Sequence, residues 1–274
     1  MSDVSTPSSK PITVGVIGAG VMGEALLSAL ISSGIEPSLI SITEKREERA
    51  QEIVAKYGVN TTSLSENVKN ADALLLVVKP QDMESTLQEI KAAVRPGTLA
   101  ISFAAGKQIK FISSILGDGV PVIRVMPNTP TIVGEGMAGI STGPSVAPEQ
   151  LNFVKDFLSS TGRVVEVDEE LQDAVTAVSG SGPAYFFRFV EAMIAGGIEL
   201  GLSPEIATEL AVQTMVGAAK LLATSGKSAT TLRENVTSPN GTTAAALSSF
   251  SDSNISEIVL KAMTAARNRS QELA

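Results

Sequence analysis

Three glycines near the amino terminus have the spacing of a phosphate-binding turn. Gly18, Gly20 and Gly23 form a GxGxxG pattern between a strand-like run and a helix-like stretch. The first glycine permits a tight bend, the second lets the backbone approach a pyrophosphate, and the third allows close packing of helix on strand. The alternative is a glycine-rich turn with a purely structural role. The pattern predicts a dinucleotide-binding turn made by Gly18, Ala19, Gly20, Val21, Met22 and Gly23.

The residues after the second strand-like run bear on which dinucleotide binds. Glu44 lies about twenty residues beyond the glycines, where a carboxylate accepts hydrogen bonds from the adenosine ribose and favours NAD. Lys45 and Arg46 follow directly and could bind the 2′-phosphate of NADP. The alternative for all three residues is a solvated helix start in a charged surface run. The sequence therefore predicts NADPH or NADH as cofactor and leaves the choice between them open.

A second turn, rich in hydroxyl groups, precedes a helix-like stretch near the carboxyl terminus. Over residues 238–246, the free N–H groups of the helix start and the hydroxyls of Ser238, Thr242 and Thr243 would form a cradle for an anion such as a carboxylate. Ordinary helix capping by Ser238 or Thr242 is the alternative explanation.

The absent residue types restrict the chemistry further. With 0 Cys there is no disulfide, thiolate metal site or cysteine nucleophile, and 0 His removes the commonest general acid/base and transition-metal ligand. No metal site is predicted. Any catalysis must use hydroxyls, Lys, Tyr, carboxylates, backbone dipoles or a cofactor.

The overall charge excludes some classes of partner. A net charge of -8 argues against binding to nucleic acid or to an anionic membrane, because both need a basic face, so a small soluble substrate is expected. Residues 1–10 contain Ser and Pro but no apolar core, which predicts a flexible tail rather than a signal peptide. We therefore expect a cytoplasmic protein.

Alternating strand-like and amphipathic stretches predict an α/β domain of the Rossmann type with a mostly parallel sheet. Gly34 and Gly58 are predicted helix ends, and Asp82 is predicted to cap a helix that runs toward Val94. The predicted strands are residues 12–17, 39–43, 73–78, 99–102, 122–126 and 164–167.

The strand pattern ends near Glu166, and the rest of the chain is predicted to be helical. One helix is expected over residues 183–200, and Ser203 with Pro204 should begin the next. Apolar and small residues cover several helix faces, which indicates either tight packing within one subunit or, as we favour, a domain shared between subunits. The predicted organisation is a tail at 1–10, a dinucleotide-binding domain at 11–166 and an all-α substrate and dimerisation domain at 167–274.

Six segments of the chain form a recognisable set. The longest is VTSPNGTTAAAL at residues 236–247, and the others are VIGAGVMG at 16–23, VVKP at 77–80, SFAAG at 102–106, RVMPNTP at 124–130 and SGSGPAY at 179–185. Together they give the chain a close resemblance to the pyrroline-5-carboxylate reductase family, for which the first segment is the most specific. Two positions depart from the family pattern: Val21 stands where Asn is usual, and Ser251 where an acidic or amide residue usually closes the signature.

The resemblance implies reduction of the C=N bond of 1-pyrroline-5-carboxylate by NADPH or NADH to give L-proline, in a homodimer or larger homo-oligomer. The substrate carboxylate would bind at Ser238, Asn240, Gly241, Thr242 and Thr243, with Thr243 at the ring nitrogen. Further cofactor contacts would come from Val78, Lys79, Pro80, Ala104, Ala105, Gly106 and Asn128. Asn128 also follows a strand end, where ligands gather in open α/β sheets.

The absence of His agrees with such a reaction. Hydride addition to a protonated imine discharges a cation and yields a neutral amine, whereas ketone reduction creates an alkoxide that needs a proton donor. Lys79 is the competing candidate for a general acid, although a Lys-Pro pair after a strand also fits a turn beside the cofactor. The alternatives are another imine or β-hydroxyacid reductase that uses Lys79, and a sensor that binds NAD(P)H without turnover.

Overall fold

The computed structural model describes residues 12–273, so the predicted tail at 1–10 lies outside the described residues. The chain forms two compact units. The sheet unit comprises the described residues up to Gly180 together with residues 267–273, and the helical unit comprises residues 181–266. The domain division at residue 166 that the sequence suggests stays a prediction.

The sheet unit is built on one eight-stranded sheet of order β3-β2-β1-β4-β5-β6-β7-β8. Every neighbouring pair is parallel except β6 and β7, which confirms the mostly parallel sheet. The strands are β1 Val14–Ile17, β2 Ile40–Thr43, β3 Asn60–Thr61, β4 Ala73–Leu76, β5 Leu99–Ser102, β6 Val122–Met126, β7 Gly136–Thr142 and β8 Gly162–Glu166.

Helices connect these strands and cover both faces of the sheet. They are α1 Val21–Ser32, α2 Glu47–Tyr57, α3 Leu64–Asn70, α4 Met83–Ile90, α5 Ile109–Leu116, α6 Pro148–Ser159 and α7 Gln172–Val175, which continues into a π-helical turn at Thr176–Gly180. Shorter 3-10 turns lie at Pro37–Leu39, Pro80–Asp82, Thr129–Val133 and Glu169–Leu171.

The core lies on both sides of the central strands. Consecutive residues of β4 point to opposite faces, so Leu74 joins one apolar cluster and Leu75 the other. Because both faces are covered, all four residues of β4 are buried and the strand is continuously apolar instead of alternating.

The helical unit contains α8 Gly182–Glu199, α9 Pro204–Thr224, α10 Ala229–Asn235, α11 Thr242–Asp252 and most of α12 Ile255–Glu272, whose last turns belong to the sheet unit. Ser203 caps α9 as predicted, because its hydroxyl accepts a hydrogen bond from the N–H of Ile206.

Several local predictions hold and others fail. Gly34 and Gly58 have φ of 98° and 70°, which confirms both as helix ends. Asp82 is the N-cap residue of α4, as predicted, but its φ is -94° and its side chain makes no capping hydrogen bond. The helix that follows also ends at Ile90, short of Val94.

Candidate active site

The glycine turn directly follows β1, and each of its glycines meets a different constraint. Gly18 has φ of 95°, and a Cβ there would lie 2.6 Å from the carbonyl oxygen of Val77. A Cβ at Gly23 would collide with the carbonyl of Gly18, so helix and turn need a glycine to pack this closely. Around Gly20 a Cβ would meet nothing within 4 Å, which leaves open space beside the start of α1. A pyrophosphate needs such an open approach to the backbone of the turn.

Glu44 follows β2 and holds the glycine turn. Its Oε2 accepts a hydrogen bond from the Ala19 N–H at 3.0 Å, and its Oε1 accepts one from the Arg46 N–H at 3.1 Å. Arg46 Nε also pairs with Oε1 at 3.3 Å. Burial raises the pKa of Glu44, but the hydrogen bonds from Arg46 and Ala19 outweigh it, and the net pKa lies below the ordinary value. Lys45 lies between these two residues on the same exposed turn.

A neighbouring cluster on α1 and α2 was not found from the sequence. Arg49 Nε donates to the carbonyl oxygen of Ala19 at 3.0 Å, so side chains hold both backbone polar groups of that residue. Arg49 also pairs with Glu24, which accepts from Lys56 at 2.8 Å and from the Tyr57 hydroxyl at 2.9 Å. Only a tertiary contact joins these helices, and local spacing gives no sign of it.

The hydrogen bonds of this cluster change the titration of Glu24. The Lys56 ammonium contributes most, with Arg49 and Tyr57 adding to it against the opposing effect of burial, and together they lower the pKa of Glu24 from 4.5 to about 2. The carboxylate therefore stays ionised through the physiological range and keeps Arg49 oriented toward the glycine turn.

The other predicted cofactor residues follow the ends of β4, β5 and β6. Lys79 is exposed and precedes the 3-10 turn at Pro80, while Val78 is half-buried beside it. Ala104 and Ala105 lead into Gly106, whose φ of 77° requires a glycine. Because parallel strands end at the same edge, all these loops lie at the edge that carries the glycine turn.

Asn128 is buried, and its side-chain amide makes hydrogen bonds within the protein. Its Nδ2 donates to the carbonyl oxygen and to the hydroxyl of Ser179, each at 3.3 Å, and its Oδ1 accepts from the Met137 N–H at 2.8 Å. The side chain thus joins the loop after β6 to β7 and to the π-helical turn. These bonds indicate that Asn128 shapes this loop, whatever it adds to cofactor binding.

The predicted substrate turn lies in the helical unit, before α11. Asn240 has φ of 58°, and the Gly241 N–H donates to the carbonyl oxygen of Ser238 at 3.0 Å, which closes a tight turn. Gly241 is the N-cap of α11 and has no side chain to cap it. Neither Ser238 nor Thr242 therefore caps α11 with its side chain. Thr242 and Thr243 occupy the first turn of the helix, with Thr243 half-buried.

Nothing in the described part of the chain offers a metal centre, since no cluster of three or more Asp or Glu side chains lies close enough to hold an ion. The loops at this edge of the sheet present backbone N–H groups, hydroxyls, Glu44 and nearby cations.

Two family models match the chain. Residues 13–106 match a family described as NADP oxidoreductase, coenzyme F420-dependent, and residues 169–273 match pyrroline-5-carboxylate reductase dimerisation. The first match covers the glycine turn and the loops after β2, β4 and β5. The second covers the turn before α11.

Whole-chain comparisons point the same way. Pyrroline-5-carboxylate reductase from Corynebacterium melassecola is 43% identical over 265 residues, covering 95% of this chain and 98% of that protein. The structure of a pyrroline-5-carboxylate reductase from Coxiella burnetii superposes with a TM-score of 0.89 at 34% identity, covering 97% and 99% of the two chains. The Plasmodium falciparum enzyme, solved with NADP bound, has a TM-score of 0.86 at 30% identity, covering 97% and 99%. With its glycine turn and its full-length similarity to these enzymes, the chain belongs to the pyrroline-5-carboxylate reductase family.

Proposed function

We propose that this chain reduces the C=N bond of 1-pyrroline-5-carboxylate to give L-proline, with the cofactor bound at the sheet edge and the substrate at the turn before α11. One observation carries the proposal: identity of 43% with a reductase of this name over 95% of the chain, including both turns. The reaction is the last step in the synthesis of proline.

The open face of the glycine turn fits a dinucleotide. The helix N–H groups at the start of α1 and the backbone at Gly20 would hold the pyrophosphate. Glu44 would accept hydrogen bonds from the adenosine ribose, while Lys45 and Arg46 would contact a 2′-phosphate where one is present. A reduced nicotinamide supplies the hydride when bound there. The loops that contain Val78, Ala104 and Asn128 line the same edge and would position it.

The turn before α11 has the groups that a carboxylate needs. The first N–H groups of α11 have no side-chain cap, so they are free to donate to a substrate carboxylate. Thr243 would fix the ring nitrogen through its hydroxyl, and the two contacts together would orient the imine carbon. Because a protonated imine already carries the proton that the product amine keeps, no side chain has to supply one. Lys79 then serves as a turn residue beside the cofactor.

The helical unit supports assembly into a homodimer. Its apolar side chains are exposed on several helices, among them Phe186, Phe187, Leu200, Ile206, Leu210, Val216 and Leu260. Helix α9 is long and apolar enough by length and composition to cross a membrane. Since the matching family model describes dimerisation, we propose that a second subunit covers this surface, with dimers joined into a larger ring in the cytoplasm.

A spectrophotometric assay tests the proposed function. The purified protein is mixed with NADPH or NADH and 1-pyrroline-5-carboxylate, and the nicotinamide absorbance should fall as proline appears. Oxidation of a β-hydroxyacid by NADP+ or NAD+ instead would indicate a different reductase, in which Lys79 would transfer the proton. Cofactor binding without turnover of either substrate would indicate a sensor and would contradict the proposal.

A further inference from the structure

Arg124 is a buried cation inside the sheet unit. It lies on β6, and only 4% of its side chain is exposed. Its Nη1 lies 3.5 Å from Oε1 of Glu169, and its Nη2 lies 3.5 Å from Oδ1 of Asp173. A buried guanidinium is tolerated only where carboxylates neutralise it, so the three side chains are placed as a set.

Each carboxylate of this set also holds a second group. The Oε1 atom of Glu169 accepts a hydrogen bond of 2.7 Å from the N–H of Ile109, the first residue of α5. The Oδ1 atom of Asp173 accepts one of 2.7 Å from the hydroxyl of Ser270, in the last turns of α12. Ser270 is 2% exposed, so its hydroxyl is shielded from solvent, while the Asp173 side chain is 20% exposed.

The same turn of α12 contacts the loop that follows β5. A Cβ at Gly106 would lie 2.6 Å from the carbonyl oxygen of Ser270 and 2.8 Å from the Cβ of Leu273. Gly106 therefore rests directly on the α12 backbone. The loop is held at one end by this contact and at the other by the bond from Ile109 to Glu169.

We propose that Ser270 is a positioning residue for the nicotinamide cofactor: it acts through Asp173, Arg124 and Gly106 to fix the loop of Ala104, Ala105 and Gly106. This inference rests on the proposed function, because it takes that loop to be part of the cofactor site. Its new content is that the carboxyl-terminal turn of the chain, remote in sequence from every dinucleotide motif, sets how tightly the cofactor binds.

The physical reason is that the loop has no other regular structure to hold it. Gly106 is conformationally free in the unfolded chain, and fixing it costs entropy that packing on Ser270 and Leu273 offsets. When the hydroxyl of Ser270 is lost, Asp173 loses one hydrogen bond and the α12 turn can move away from Gly106. The cofactor must then order the loop on binding, which weakens its affinity.

The test compares Ser270→Ala with Ser114→Ala. Ser114 is exposed on α5, and its hydroxyl bonds only the local carbonyl oxygen of Phe111, so it controls for the loss of one serine hydroxyl. We expect Ser270→Ala to raise the KM and the calorimetric Kd for NADPH roughly three- to tenfold, with kcat and the KM for the imine unchanged, and Ser114→Ala to change none of them. Hydrogen exchange at residues 104–109 should quicken in the first variant only.

A second variant controls for misfolding. Ser270→Thr keeps the hydroxyl that donates to Asp173 and leaves both carboxylates beside Arg124, so its Kd for NADPH should stay near the wild-type value. A rise as large as that in Ser270→Ala would show that the hydroxyl is not what holds the loop. A lower melting temperature in Ser270→Ala with a wild-type Kd for NADPH would overturn the inference and leave the proposed function intact. If the wild-type protein failed to reduce the imine, the proposed function would be contradicted. The calorimetric Kd for NADPH would still decide whether Ser270 affects cofactor binding.

Discussion

The two units bury their apolar residues in different ways. In the sheet unit, side chains such as Leu26, Leu74 and Phe157 are almost wholly inaccessible to solvent. In the helical unit, the buried apolar residues among those described are only Ala207 and Ala211, while side chains as large as Phe187 are more than half exposed. The sheet unit thus has a core of its own, whereas the helical unit leaves its large apolar side chains uncovered within the chain, as expected of a surface that a second subunit covers.

This difference implies that the stability of the sheet unit and the association of the subunits depend on different residues. Loss of the partner should leave the sheet unit folded and able to bind a dinucleotide, because its core does not involve the exposed helices. The helical unit carries the proposed substrate turn, so the same loss should abolish turnover.

A charge placed on the exposed apolar surface should have the largest effect. Leu210→Asp on α9 would bury an unpaired carboxylate twice in a symmetric dimer, at a cost of several kcal/mol. We expect dissociation and a loss of activity of roughly a hundredfold or more, measured by light scattering and the absorbance assay. Asn152→Asp, an exposed position on α6, adds the same charge and should do neither. A Leu210→Asp monomer with full activity would show that the helical unit needs no partner.

Thr243→Val should have the next largest effect, because it acts on the helical unit without disturbing its surface. Valine is nearly isosteric with threonine, so only the hydroxyl that we propose to contact the ring nitrogen is lost. Such a bond is worth about 1–3 kcal/mol, which predicts a fall in kcat/KM for the imine of roughly one to two orders of magnitude. Thr224→Val removes an exposed hydroxyl that bonds only Lys220 and should behave as wild type. An unchanged kcat and KM in Thr243→Val would instead favour Lys79 as the general acid of the reaction.

Sequence patterns predicted the parts of the fold that local chemistry determines. The strands Leu99–Ser102 and Val122–Met126 lie where the apolar runs placed them, and the glycine turn follows a strand as its spacing required. Strand β7, Gly136–Thr142, was missed, because its glycines and small residues give no alternating pattern and its place beside β6 comes from antiparallel pairing.

Contacts between distant residues could not be predicted in the same way. The hydrogen bonds of Ala19 with Glu44 and Arg49, and the bond from Ser270 to Asp173, join residues far apart in the chain, and no local sequence pattern predicts them. Arg49, Asp173 and Ser270, which the sequence did not reveal, thus hold or adjoin loops of the candidate site. The predicted residues belong to short motifs that can be recognised in the sequence itself. The roles of the predicted residues at the site stay predictions.

A smaller effect is expected from the cations that follow Glu44. The double variant Lys45→Ala, Arg46→Ala should lower kcat/KM for NADPH by about tenfold more than for NADH, because only NADPH carries the 2′-phosphate that these side chains would contact. Since the sheet unit folds around its own core, the dimer should stay intact. Equal losses for both cofactors would mean that Arg46 acts only by orienting Glu44, to which it is bonded at 3.3 Å.

The smallest effect should be a dependence of stability on pH that belongs to the sheet unit alone. The hydrogen bonds from Lys56, Arg49 and Tyr57 lower the pKa of Glu24 from 4.5 to about 2, so the ionised carboxylate stabilises the folded state above about pH 5, and this contribution is lost as the pH falls toward 2. After allowance for solvent screening of a side chain that is 20% exposed, we expect about 1–2 kcal/mol of unfolding free energy.

Glu24→Gln isolates that contribution. Urea unfolding from pH 7 to pH 3 should give a wild-type free energy that declines toward acid more steeply than that of the variant, so that the difference between the two proteins narrows toward pH 3. Because every member of the cluster lies in the sheet unit, the difference between the two proteins should not change with protein concentration, whereas the stability gained from the partner surface should. Parallel pH curves for wild type and variant would show that Glu24 gains nothing from its partners in the folded state.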